Sequence, residues 1–100
     1  MKETNQMDDR DHTIFIGGKS FMNYVTGVVM QFTTIDASEV FVKGRGKFIS
    51  KAVDVAEVAA KRFFDGRIDI GDIKIGSEEF RNSDGKDVRV STISILLKKR

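Results

Sequence analysis

Apolar and polar positions follow two different periods along the chain, and the changes between them mark out six elements. Thr13-Ile14-Phe15-Ile16 is short and β-rich and is stopped by Gly17-Gly18, which predicts a first strand over 13–16. From Ser20 the apolar set Phe21, Val25, Val28, Val29 and Phe32 has helical spacing, with Ser20 placed to cap the helix. Gly27 inside that helix costs up to about 1 kcal/mol relative to alanine, which points to close packing or a marginal helix. Val40-Phe41-Val42 reads as a second strand ended by Gly44. Ile49, Val53, Ala56, Ala60 and Phe63 then fall at i, i+4, i+7, i+11 and i+14, one apolar face of a helix over about 46–64. Glu57 and Lys61 support it in the favourable i, i+4 order.

Two further strands are predicted over 68–80 and 87–98. The alternation of Ile68, Ile70 and then Ile73, Ile75 breaks near Gly71, the mark of a bulge. Between the strands, Asn82-Ser83-Asp84-Gly85-Lys86 is a hairpin turn, because Asp-Gly tolerates the positive φ of tight turns. The order is therefore β-α-β-α-β-β with a long two-stranded arm near the end. Ile73, Ile75, Ile93, Ile95 and Leu97, with Phe63 and Phe64, offer more apolar surface than two short helices cover. A symmetric homodimer is the common way to bury such an excess. Phe63 and Phe64 are adjacent on a helix, so one faces the core and the other outward.

Composition narrows the possibilities. One hundred residues make a single domain, and with no cysteine there is no disulfide, Cys-ligated zinc or thiol chemistry. Apolar runs never exceed three residues, too short for a membrane span or a signal-peptide core, so a soluble intracellular protein is expected. Residues 1–12 hold Lys2 and Arg10 against Glu3, Asp8, Asp9 and Asp11, a net −2, and read as a mobile acidic arm. With +2 overall, residues 13–100 carry +4.

Catalytic chemistry is poorly supplied. The only histidine, His12, lies in the acidic arm, so no histidine-based acid–base pair can form on the core. Asp8, Asp9, Asp11 and His12 lack the fixed geometry a metal needs. Gly17-Gly18-Lys19-Ser20 follows a strand and precedes a helix, yet the first glycine of a phosphate-binding P-loop would have to stand where Thr13 is. A helix start beside a lysine still favours anions in general. No catalytic residue, metal or cofactor is expected.

Lys43-Gly44-Arg45-Gly46-Lys47-Phe48-Ile49-Ser50-Lys51 is the most informative stretch, with four cations and no acid at the expected start of the second helix. Cations there oppose the helix dipole, and Lys47 and Lys51 form a like-charge i, i+4 pair. A cluster that works against folding makes sense where a bound polyanion offsets it. The glycines allow positive φ or close backbone approach.

Ile16-Gly, Lys19, Met22-Asn23-Tyr24-Val25, Lys43-Gly-Arg-Gly-Lys, Ile49-Ser50-Lys51-Ala52-Val53-Asp54, Arg62-Phe63, Asp84-Gly85 and Val90-Ser91-Thr92-Ile93 resemble the Alba family of archaeal chromatin proteins, in order and at family-like spacing over about 13–99. The resemblance implies an α+β two-layer sandwich with a four-stranded mixed sheet, similar to the C-terminal domain of translation initiation factor three. It implies a non-enzymatic homodimer that binds double-stranded DNA with little sequence preference, coats, bridges or compacts it, and binds RNA as well. The place would be the cytoplasm, on the chromosome. The alternative is a protein devoted mainly to RNA binding or RNA processing.

Carried over by motif, the nucleic-acid contacts are Lys19, Asn23, Tyr24, Arg45, Lys47, Lys51 and, in the arm, Arg89, while Phe63 matches an aromatic used between neighbouring dimers on DNA. Gly18 stands where many relatives have a first, acetylated lysine, so that modification is absent here. Gly44 and Lys47 replace the family's usual alanine and arginine, and Lys47 offers a point charge in place of a bidentate fork. The acidic arm is positioned by sequence to compete with nucleic acid for the basic surface.

Overall fold

A computed structural model describes residues 12–100; the expected acidic arm lies outside the described residues except for His12, whose Nδ1–H donates to Gln31 Oε1 (3.3 Å). The elements are β1 (Thr13–Phe15), α1 (Phe21–Thr33), β2 (Glu39–Arg45), α2 (Ile49–Val58), β3 (Ile68–Arg81) and β4 (Asp87–Lys99). The sheet order is β1-β2-β4-β3, with β1 parallel to β2 and the other pairs antiparallel. This is the expected α+β fold, with both helices on one face of a four-stranded mixed sheet.

Each helix begins where its sequence says it can. Ser20 caps α1, its hydroxyl accepting from Asn23 N at 3.3 Å. Gly27 faces Ile14, and an added Cβ would sit 3.5 Å from Ile14 Cδ1, ordinary contact, so close packing does not require the glycine. Gly44 does not end the second strand, as expected; β2 runs on to Arg45. What demands glycine there is the turn above it. A Cβ on Gly44 would lie 2.8 Å from Phe48 O and 3.0 Å from Ala52 Cβ. Gly46 follows at φ 56°, the left-handed region, and swings the chain back over the sheet.

The second helix departs from the expected continuous 46–64 segment. A 3-10 turn at Gly46–Phe48 leads into α2, and a π turn at Ala59–Phe63 closes it. Its buried side is Ala52, Val55, Ala56, Ala59 and Ala60, rotated from the face that hydropathy predicts: Val53 and Phe63 are exposed and Ile49 is half-buried. The small alanines, weak in a hydropathy pattern, sit against the sheet because they allow close approach. The wide π turn inserts extra backbone before the helix ends and brings Phe64 inward. Phe64 packs edge-on against Phe32, with ring centroids 5.4 Å apart, while Phe63 is 46% exposed.

Ile95 and Leu97 are also core residues, packed with Val40 and Val42, so they and Phe64 are not part of the surplus apolar surface. Ile73 and Ile75 are that surplus, 56% and 83% exposed. They pair with Ile95 and Ile93 on β4, after the register shift between Ile70 and Ile73 expected at Gly71. The helices cover β1, β2 and β4 but leave the outer length of β3 bare. Beyond them β3 and β4 project as the arm, closed by Gly85 at φ 80° and by Asn82, whose Oδ1 accepts from Asp84 N and Lys86 N.

Candidate nucleic-acid interface

β1 and β2 run parallel, so both deliver the chain to the same end of the sheet, where α1 and α2 begin. Neither helix has an acidic residue in its first turn. The end therefore combines two helix N-termini with the cations Lys19, Lys47 and Lys51, an arrangement that attracts anions.

Tyr24 and Lys51 hold this end together. The Tyr24 hydroxyl accepts from Gly17 N (2.9 Å) and Lys19 N (3.1 Å), which leaves its own proton free to donate outward. Lys51 Nζ donates to Gly17 O (2.8 Å) and Lys19 O (2.6 Å) and lies 5.1 Å from the Tyr24 ring centroid. Its third N–H stays available. Phe48 lies between two ammonium groups, Lys47 at 5.4 Å and Lys51 at 5.8 Å from its centroid. Such cation–π contacts are worth about 0.5–1 kcal/mol each at exposed sites. They let two like charges share one patch.

The expected site residues thus fall into separate groups. Lys19, Tyr24, Lys47 and Lys51 come together at the helix-start end, with Asn23 exposed on the first turn of α1. Arg45 does not join them. It points to the sheet face away from the helices, donates to Glu78 Oε1 at 2.7 Å and lies 5.9 Å from the Phe80 centroid, which ties β2 to the arm. Arg89 is exposed in the arm, opposite Glu79 in the β3–β4 register, and makes no ion pair among the described residues. Phe63 stands apart at the far end of α2.

Phe48 and Glu78 are partners that sequence reasoning misses. Phe48 is in plain view as the aromatic inside the basic stretch. Glu78 is hidden, because only the register of β3 against β4 and β2 brings it beside Arg45.

Comparison with known proteins accords with this architecture. The Alba family model matches residues 12–77. The chain is 46% identical over 87 residues to a DNA/RNA-binding protein Alba of Methanococcus maripaludis, covering 87% of this chain and 97% of that protein. It is 53% identical over 88 residues to the protein of the same name from Nanoarchaeum equitans, with the same two coverages. Among solved structures, Alba from Thermoplasma volcanium superposes with TM-score 0.78 at 40% identity, covering 87% of this chain and 99% of that one. These relatives are named as binding proteins, not as enzymes. On sequence, coverage and fold together, the chain belongs to the Alba family.

Proposed function

We propose that this protein is a non-enzymatic, largely sequence-independent binder of double-stranded DNA that coats, bridges or compacts the chromosome as a homodimer in the cytoplasm, and that it binds RNA as well. The observation that carries the reading is the acid-free end of the fold. Lys51 and Tyr24 lock the Gly17–Lys19 backbone there, so Lys19 and Lys47 are presented beside two helix N-termini without a carboxylate among the described residues to neutralise them. Rigid cations of this kind recognise phosphate, and phosphate contacts do not read base sequence. The printed names of the relatives support DNA and RNA as the polyanions.

The bare apolar step supports the homodimer. Lys51 points toward the β1–α1 loop, so the helical wheel puts Ile49 and Val53 on the opposite flank of α2, above β4 and β3. Val53, Ile73 and Ile75 are all exposed large apolar side chains. A second copy seated across this step would bring two basic ends onto one particle and set the arms, with Arg89, on either side. Phe63, on the outer surface, is then free to meet a neighbouring dimer.

The test is the salt dependence of duplex binding by protein shown to be dimeric in light scattering. Replacing both Lys19 and Lys47 by alanine should lower the slope of log K against log[salt] by about 0.9 for each phosphate no longer neutralised, up to about four phosphates per dimer. Preference among duplex sequences should stay flat. A wild-type slope in the double variant would overturn the assignment of these two residues to phosphate, and a monomer at micromolar concentration would overturn the dimer.

A further inference from the structure

The sheet has a second face, turned away from the helices, and its side chains are not those of an ordinary solvated surface. The register places Phe15, Lys43, Ser94 and Lys74 in one row across all four strands. Arg45, Thr92 and Gly76 form the next row, with Glu78 and Phe80 following on β3. All of these but Phe80 line a hollow of about 580 Å³, bordered also by Phe48 and Ile75 and within the roughly 300–1,000 Å³ typical of small-ligand clefts. Gly76 keeps its floor low: a Cβ there would press to 3.4 Å from Thr92 Oγ1.

Three features of the hollow point to the same occupant. First, one aromatic face is available. Phe15 is 62% exposed, with no ring or cation against it among the described residues, whereas Phe41 lies 5.7 Å below the Lys43 ammonium and Phe80 5.9 Å below the Arg45 guanidinium. Second, the charge is complementary to a phosphodiester chain. Lys43, Arg45 and Lys74 line the hollow, and its one lining acid, Glu78, is already engaged by Arg45. Third, the hydroxyls of Thr92 and Ser94 lie between the cations, where a ribose 2′-OH can exchange hydrogen bonds. A paired duplex keeps its base faces stacked and offers nothing to Phe15. Unpaired nucleotides do.

We propose that the helix-free face, centred on Phe15, Lys43, Lys74 and the hydroxyls of β4, binds single-stranded RNA by stacking unpaired bases on Phe15. Lys43 and Lys74 hold the flanking phosphates, and Ser94 and Thr92 meet the ribose. The hollow borders the helix-start end at Phe48 and the apolar step at Ile75, but Phe15, Lys43 and Lys74 lie on its helix-free side, so the protein can hold a duplex at the helix-start end and an unpaired strand on this face.

The experiment measures anisotropy of a labelled short oligouridylate, the matching oligodeoxythymidylate and a DNA duplex, on the full chain. Phe15→Ala should weaken oligouridylate binding by roughly 5- to 100-fold, the effect of removing one base–aromatic stack, and leave duplex affinity within about twofold. Phe15→Trp should restore it, and Phe15→Leu should not, because the π face and not apolar area is needed. Lys74→Glu should also weaken the RNA selectively, and Ser94→Ala should narrow its advantage over the deoxy strand. Phe15 is exposed, so these variants leave the core intact. Equal loss on RNA and duplex, or no loss on either, would overturn the second surface; equal binding of the deoxy strand would overturn the ribose contact. A Phe15→Ala protein that turns monomeric in light scattering would show the face to be a seam between copies and would also overturn the proposal.

Discussion

The helix-start end of the body and the β3–β4 arm both carry exposed cations, but the two regions organise them differently. At the body end, Lys51 and Tyr24 are bound into the backbone of the β1–α1 loop, and no acid among the described residues intervenes. In the arm, cations alternate with carboxylates, and Arg81 pairs with Asp87 at 3.3 Å while Arg45 reaches Glu78 from β2. The body presents a fixed positive surface whose residues also maintain the fold. The arm presents reach and little net charge, held by strand pairing alone once it passes the helices. Electrostatic attraction should therefore reside mainly in the body, and the arm should contribute position.

The contrast is tested most directly at Lys51. Lys51→Ala removes a charged donor from two carbonyls, so it should lower stability by about 1–3 kcal/mol as well as flattening the salt dependence of duplex binding. Denaturant unfolding alongside binding would check this. A variant that loses affinity but unfolds like the parent would mean the ammonium serves the ligand only.

Gly85→Ala probes the arm. An L-residue at φ 80° costs about 1–2 kcal/mol, and an added Cβ meets no atom within 4 Å, so the penalty is conformational. Amide exchange should speed up across the outer arm, around Phe80 and Val88, while Val42, Ile95 and Leu97 keep their protection. Uniform acceleration through the core would show that arm and body open as one unit.

The smallest effect concerns the opposite end of the sheet, where Asp36, at φ 61°, accepts from Lys99 Nζ at 2.6 Å. That hydrogen bond, and next the charge of Lys99, hold the Asp36 carboxyl below its ordinary range. Because the folded pKa is the lower one, the contribution is present above the unfolded value of about 3.9 and disappears as pH falls through the folded value. Asp36→Asn should therefore melt slightly below the parent at neutral pH and match it in strong acid. A gap that persists in strong acid would assign the effect to backbone conformation.

Much of this molecule is determined by the sequence alone, because the signals are local. The order of six elements, the Ser20 cap, the bulge at Gly71, the Asp84-Gly85 turn and the basic stretch from Lys43 to Lys51 depend on neighbours within a few residues, and periodicity and turn chemistry express them directly. The family is legible for the same reason, as motifs in order. Tertiary structure alone decided which flank of the second helix is buried, since alanines suited to close approach outweighed larger residues that hydropathy favours. It decided that Phe64, not Phe63, enters the core, through a π turn no local pattern announces. It also split the basic stretch. Side chains two apart on a strand share a face, so once β2 continues through Gly44, Lys43 and Arg45 turn away from the helices, while Lys47 and Lys51 follow the chain onto the helix-start end. Cross-strand register then set Glu78 beside Arg45, and Phe15 in a row with Lys43 and Lys74. Those partners are separated by up to dozens of residues, and only the closing of the sheet brings them together.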